Sequence, residues 1–131
     1  MSKRINISSG VMWESKVGYS RAVKIGNIIA VSGTTAIING EVKGENDYYI
    51  QTKTILEKIR TALIEAGAGM EDVIRTRIYV KDISNWEAVG KAHSEFFGKI
   101  RPASTMVEIS ALVDEKMLVE IEADAYKSDA E

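Results

Sequence analysis

Apolar and polar residues alternate along the first third of the chain at the two-residue spacing of β-strands. "YSRAVKIG" (19–26) and "NIIAVSGTTAI" (27–37) predict two strands joined by the turn residues Gly26–Asn27. Asn39–Gly40 indicates a further hairpin turn. Residues 1–17 are predicted to be a polar N-terminal arm with scattered apolar positions, at Ile5, Ile7, Val11 and Trp13. The second strand is apolar on both faces, with Ile29 and Val31 on one and Ile28 and Ala30 on the other.

Two later stretches have the spacing of amphipathic helices. The first is capped by Asn46 or Asp47 and ends at Gly67. The second opens on Ser84–Glu87, which fits a capping box, and ends at Gly98. The apolar stripes are Ile55, Leu56, Ile59, Ala62, Leu63 and Ala66 in the first helix, and Trp86, Val89, His93, Phe96 and Phe97 in the second.

Three more strands are predicted, "DVIRTRIYVKD" (72–82), 103–110 and 117–126. One face of the first of these strands is formed by Ile74, Thr76, Ile78 and Val80. Charged and aromatic residues form the opposite faces, with Arg75, Arg77, Tyr79 and Lys81 on the first strand and Glu120, Glu122 and Asp124 on the last. Cross-strand ion pairs are one interpretation of these charges, and a ligand-binding pocket is the other.

The order β-β-α-β-α-β-β predicts a single α+β domain over residues 1–131, with a core over residues 18–126. Two helices cover only one face of a sheet, so the domain is expected to be a two-layer sandwich. The other face carries apolar residues as well as charges, and we expect it to pack against another subunit. The alternative is a monomer with a solvated outer face.

Composition excludes several classes of function. With a net charge of −2, the 131-residue chain lacks the surplus of basic residues that nucleic-acid binding needs. No apolar run approaches the roughly 20 residues of a membrane helix, and we expect no secretory signal because no apolar stretch follows the basic residues Lys3 and Arg4. The absence of cysteine favours a cytoplasmic location. With no cysteine and a single histidine, we expect no metal site. That histidine, His93, lies on an apolar stripe with no acid at helical spacing, so a core histidine is favoured over a catalytic one.

The order of four segments resembles the RidA family, also called YjgF or endoribonuclease L-PSP. The segments are "GYSRAVKIGNIIAVSG", "QTKTILEKIRTALIEAGAGMEDVIRTRIYVKD", "EFFGKIRPASTMVEISAL" and "VEIEADA", which together span about residues 18–126. The resemblance implies a chorismate-mutase-like fold with a mixed sheet. It also implies a homotrimer with the sheets packed around a central core, and small-molecule sites in the clefts between subunits. The best-known members hydrolyse reactive enamines and imines. Such a reaction uses water as its co-substrate, so no cofactor is expected.

The resemblance also implies roles for individual residues. Glu120 takes the position of the family glutamate that places the attacking water. Thr105 takes the position of a residue that carries a hydroxyl group. Tyr19, Ser32 and Gly33 take the positions that shape the pocket, and a glycine such as Gly33 permits close approach. Ser104 stands where the family has the arginine that grips a substrate carboxylate, and Gly90 stands where it has an asparagine. A relocated cation would come from Arg101, Arg77 or Arg21, including one from a neighbouring subunit.

Three functions are compatible with this resemblance. The first is a hydrolase acting on an enamine, an imine or a related carbon–nitrogen substrate that does not require the usual carboxylate clamp. Glu120 would then place water, and Ser104 and Thr105 would hold the ligand. The second is a non-enzymatic trimer that binds a metabolite. The third is a ribonuclease, for which the acidic chain shows no basic-aromatic surface.

Overall fold

A six-stranded mixed sheet forms one layer of the protein. The computed structural model describes residues 3–129, so residues 1–2 and 130–131, at the ends of the predicted domain, lie outside the described part. The order across the sheet is β1-β2-β3-β8-β6-β7, with β6 and β7 parallel and the other neighbours antiparallel. The strands are β1 (Arg4–Ile7), β2 (Ala22–Ile25), β3 (Ile28–Thr34), β4 (Ile37–Ile38), β5 (Glu41–Val42), β6 (Val73–Val80), β7 (Ala103–Glu108) and β8 (Val119–Tyr126). β4 and β5 pair separately, across the predicted Asn39–Gly40 turn.

The two long helices form the second layer, and a third helix is short. The helices are α1 (Met12–Val17), α2 (Tyr48–Glu65) and α3 (Trp86–Phe97). α2 lies on β3 and β8, and α3 packs beside α2. The predicted α+β class is therefore confirmed, with both long helices on one face of the sheet.

The limits of α2 follow from its end residues. The Asp47 carboxylate accepts a hydrogen bond from the Ile50 N–H at 2.9 Å. At the other end Gly67 has a φ of 87°, which lets the Ala68 N–H donate to the Leu63 carbonyl at 2.8 Å. The predicted apolar stripe is buried, with Ile55, Leu56, Ile59 and Leu63 inaccessible to solvent. Each such side chain contributes about 1.5–3 kcal/mol of burial free energy.

Three details of the predicted pattern are wrong. Residues 83–85 form a 3-10 turn capped by Asp82, which accepts from the Ser84 N–H at 3.0 Å, so the predicted capping box is absent. Trp86 begins α3 and is 55% exposed. The periodic stripe showed on which face of the helix Trp86 lies, but it could not show whether another element covers that end of the helix. A β-bulge at Val73–Arg75 turns Ile74 outward and Val73 inward.

The segment predicted as a polar arm has regular structure. β1 pairs antiparallel with β2 and forms one edge of the sheet. After a loop, α1 ends at Gly18, whose φ is 92°. This segment therefore extends the domain beyond the predicted core of residues 18–126.

The helix-free face of the sheet is partly charged and partly apolar. Arg77 Nη1 lies 3.0 Å from Asp124 Oδ2 and 3.3 Å from Glu122 Oε1, so the predicted cross-strand ion pairs are present. Beside them are exposed apolar side chains, Ile25, Ile28, Val107 and Tyr126. Ile25, Ile28 and Tyr126 are neighbours across β2, β3 and β8, and we define these three side chains as the apolar patch of the helix-free face. Val107 lies apart from them, on the edge strand β7.

Candidate functional site

A bulge in β3 brings the backbone of Ser32–Gly33 against the start of β8. The register with β8 shifts between Val31 and Thr34. A Cβ on Gly33 would overlap the Glu120 carboxylate, so no larger residue fits there without a shift of Glu120. The predicted close approach at Gly33 is thus an approach of a carboxylate to bare backbone.

Arg21 holds this bulge in place. Its guanidinium is buried, and Nη1 donates to the Gly33 carbonyl at 3.0 Å and to Thr34 Oγ1 at 2.6 Å. The Ser32 hydroxyl adds a hydrogen bond to the Ser20 carbonyl at 2.6 Å. These hydrogen bonds link Ser20 and Arg21 to the segment 32–34, so the two backbone segments are fixed relative to each other.

α1 is tied to Arg21 through Glu14, a buried acid. Glu14 accepts hydrogen bonds from the Ser8 hydroxyl at 2.9 Å and from both the hydroxyl and the N–H of Ser9. Its Oε2 lies 3.9 Å from Arg21 Nε. Burial raises the pKa of Glu14, but the hydrogen bonds from Ser9 and Ser8 and the charge of Arg21 outweigh it and leave the pKa below its usual value. Glu14 is therefore ionised at neutral pH and anchors α1.

These elements enclose a cavity of about 480 Å³. α1 supplies Trp13 and Val17, and Glu120 comes from β8. Tyr19, Ser32 and Gly33, three of the predicted site residues, also line it. Such a volume suits a small molecule.

The Glu120 carboxylate is half-buried in this cavity. Burial raises its pKa above the ordinary value, neighbouring Glu122 adds to the rise, and Arg21 opposes it. A carboxyl group with a raised pKa is able to exchange protons with a bound ligand closer to neutral pH.

Lys58 is a cavity residue that the sequence analysis missed. Its Nζ donates to the carbonyl oxygens of Thr35 at 2.7 Å and Ile37 at 2.9 Å. Burial and the nearby charge of Arg21 lower its pKa to about 8. A signal was present in the sequence, because Lys58 follows the buried Ile55 by three residues and so lies on the same side of α2.

The remaining predicted site residues lie outside this chain's cavity. The Ser104 hydroxyl accepts from Thr76 Oγ1 at 2.8 Å, on the helix side of the sheet. Thr105 faces the other way, in register with Arg77. The prediction that Ser104 and Thr105 together hold one ligand is thus not met within one chain, since neighbouring strand residues point to opposite faces.

Two of the predicted cations, Arg77 and Arg101, also do not line the cavity. Arg77 is engaged by Glu122 and Asp124 on the open sheet face. Arg101 has a φ of 56° and lines a separate hollow of about 320 Å³ with His93 and Phe97. Of the three predicted replacement cations, Arg21 alone lines the cavity of its own chain.

His93, predicted to be a core histidine, is only partly buried at the edge of the core. Its Nε2 is 2.9 Å from Thr76 Oγ1, and its ring packs on Phe97 with the centroids 4.7 Å apart. Burial lowers its pKa, so it is neutral at pH 7. Within residues 3–129 there is no group of three or more carboxylates and imidazoles suited to a metal ion. In the same residues no helix has the length and apolar character needed to cross a membrane.

A family model described as endoribonuclease L-PSP matches residues 12–127. The chain belongs to this family, also called RidA or YjgF. A crystal structure of a Mycobacterium tuberculosis member of the YjgF/YER057c/UK114 family is similar to this RidA-family protein, with a TM-score of 0.87 and 52% identity over 95% of this chain and 99% of that chain. The Escherichia coli YjgF structure has a TM-score of 0.80 and 26% identity, covering 94% of each chain.

Two relatives of the RidA-family chain differ in what their names state. An uncharacterised Streptomyces coelicolor protein is 39% identical and covers 92% of this chain and 90% of its own. A protein of Acinetobacter baylyi named 3-aminoacrylate deaminase RutC is 33% identical, over 82% of this chain and 86% of its own.

Proposed function

We propose that the protein hydrolyses a small enamine or imine to a carbonyl compound and ammonia, with water as co-substrate and no cofactor. The observation that carries this proposal is the half-buried Glu120 carboxylate in the cavity, with its raised pKa. The similarity to a relative named as a 3-aminoacrylate deaminase supports the same substrate class.

In the proposed reaction Glu120 holds a water molecule and takes up its proton as the oxygen attacks the imine carbon. The same carboxyl group returns this proton to the nitrogen, which gives the carbinolamine. It then moves the carbinol hydroxyl proton to the nitrogen as the C–N bond breaks, so that a C=O bond forms and ammonia leaves. An enamine substrate first tautomerises to the imine by moving its N–H proton to carbon. A carboxyl pKa raised by burial suits these transfers, because the group takes up a proton more readily than an ordinary carboxylate does. Tyr19 and Ser32 form the wall that positions the substrate.

We further propose that the working form is a homotrimer whose sites lie between subunits. Thr105 lies on the exposed β7 edge of the sheet, away from the cavity of its own chain. A neighbouring subunit that packs on the helix-free face would bring such an edge to the cavity. The apolar patch of that face supports this packing.

Ser104 narrows the proposed substrate class. The hydroxyl has neither the charge nor the reach of the family arginine, and it is already bonded to Thr76. A substrate that does not need the usual carboxylate clamp fits this position. A carboxylate substrate would instead depend on a cation in the cavity, where Arg21 lies.

The test is hydrolysis of enamines generated in solution, 2-aminoacrylate and 3-aminoacrylate, followed by release of ammonia and carbonyl product. We expect Glu120→Ala to abolish the acceleration and the exposed Glu57→Ala to retain it. Wild-type protein that accelerates neither compound, with Ser104→Arg active, would limit the proposal to substrates lacking a carboxylate. Activity unaffected by Glu120→Ala would contradict the proposed role of that residue.

The alternative function is a metabolite-binding protein without turnover. The engagement of Ser104 by Thr76 favours this alternative, because it leaves the usual clamp position with no cation. Calorimetry with the carbonyl products distinguishes the two functions. Tight binding that Glu120→Ala leaves unchanged, with no turnover of any enamine, would support the binding protein.

A further inference from the structure

Lys58 faces the cavity and has no part in the proposed hydrolysis by water. It comes from α2, on the helix side of the sheet, and its side chain reaches the cavity wall. Hydrogen bonds to the carbonyl oxygens of Thr35 and Ile37, at 2.7 and 2.9 Å, hold Nζ at that wall. An amine fixed by two acceptors has lost much of the rotational freedom of a surface lysine.

Burial and the charge of Arg21 shift Lys58 toward the neutral amine. They lower the Lys58 pKa to about 8, so at pH 8 its neutral fraction is roughly 100-fold that of an ordinary lysine. Desolvation and an adjacent cation are the two conditions that activate lysine as a nucleophile. A neutral amine still has two N–H bonds for its two carbonyl acceptors, which leaves the lone pair for a ligand.

We propose that Lys58 captures small aldehydes and 2-oxo acids in this cavity as a reversible Schiff base. The Nζ lone pair attacks the carbonyl carbon, and the carbinolamine then loses water to give a C=N bond. Both Nζ hydrogens and the carbonyl oxygen leave in that water molecule, so no oxidant or reductant is needed. Hydrolysis reverses the step. The proposed Schiff-base formation does not depend on whether the protein hydrolyses enamines.

The charges around Lys58 set the pH at which capture occurs. Arg21 precedes β2, Glu120 and Glu122 come from β8, and all three line the same cavity. Glu14 of α1 lies on Arg21 and offsets part of its charge. The Lys58 pKa of about 8 already includes the effect of Arg21, so capture is expected to rise with pH around pH 8, well below the range of surface lysines.

The experiment treats the purified protein with glyoxylate and sodium cyanoborohydride at pH 8, and maps the reduced adducts by peptide mass spectrometry. Lys53 is the internal control, because it is an exposed lysine on the same helix. We expect labelling of Lys58 to exceed that of Lys53 by at least about tenfold, less than the gain in neutral amine because a less basic amine is also less nucleophilic. Lys58→Arg, which keeps a cation and N–H donors, is expected to lose the fast adduct, whereas Lys53→Arg retains it.

Equal labelling of Lys58 and Lys53, or a fast adduct that persists in Lys58→Arg, would overturn the proposal, and so would the absence of any adduct. If Lys58→Arg does not fold, the peptide ratio in the wild-type protein decides the question alone. A pH profile of Lys58 labelling with its midpoint near pH 10 would also contradict the proposal.

Discussion

Gly33 shows how a single missing side chain shapes the site. The Glu120 carboxylate occupies the space that a Cβ at position 33 would fill. The contact leaves the carboxylate against backbone and thus contributes to its burial. Substitution at this position is therefore expected to change both stability and the chemistry of Glu120.

Gly33→Ala is expected to lower the free energy of unfolding by about 1–3 kcal/mol, because the new methyl group displaces Glu120. Gly90→Ala is the matched control, since a Cβ there meets nothing within 4 Å and lies inside a helix. That control is expected to be neutral or to stabilise by up to about 1 kcal/mol. Urea unfolding of the two variants checks the difference, and an equal loss in both would refute the role of Gly33.

Glu120 is expected to make stability depend on pH in a defined direction. Its pKa is raised in the folded protein, so the folded state holds the proton more tightly than the unfolded state. Stability relative to Glu120→Gln is therefore greatest at acidic pH, and falls as pH rises from about 4.5 through the raised pKa. Unfolding measured from pH 4 to 8 checks the slope, with the exposed Glu57→Gln as control. A stability difference between wild type and Glu120→Gln that stays constant over this range would be the contrary result.

At the scale of elements, α1 is held by one buried acid rather than by an apolar face. Glu14 is the buried residue of this six-residue helix, and its partners are Ser8, Ser9 and Arg21. α1 carries Trp13 and Val17 to the cavity. The wall of the site thus depends on a polar network.

Glu14→Ala is expected to destabilise the protein by about 1–3 kcal/mol, because it leaves buried donors without an acceptor. It is also expected to increase amide hydrogen exchange over residues 8–19 and to weaken ligand binding. Lys16→Ala, on the exposed side of the same helix, is the control and should change neither. Unaltered exchange in Glu14→Ala would mean that α1 is held by other contacts.

The same element shows where sequence reasoning reaches its limit. Periodicity predicts β8 well, since Val119, Ile121 and Ala123 are buried and the acids between them are not. It fails for α1, because a short helix whose buried residue is an acid has no apolar stripe. Of the site, Tyr19, Ser32, Gly33 and Glu120 were predicted and line one cavity.

The positions of other site residues could be established only from the fold. Ser104 and Thr105 are neighbours on a strand, and strand geometry alone implies opposite directions for their side chains. The resemblance assigned both residues to one ligand. Lys58 was missed because a lysine beside an apolar stripe is usually solvated, and only the fold supplies the two carbonyl oxygens that hold it.

At the scale of the whole molecule, the apolar patch of the helix-free face gives the sheet a surface suited to a partner. Ile28→Lys is expected to disrupt the proposed trimer, because it adds a charge to this patch. Ile64→Lys is the control, since Ile64 is 60% exposed and Ile28 61%, but Ile64 lies on α2. Light scattering with size-exclusion chromatography gives the mass of each variant. A monomeric wild-type protein would refute the trimer.

The position of β8 has a consequence for how the protein is made. β8 lies between β3 and β6 in the sheet, yet it is the last strand in chain order. On the ribosome, β1–β3 and the β6–β7 pair emerge first, and neither group can join the other without β8. The six-stranded sheet can therefore be completed only after residues through Tyr126 have left the exit tunnel.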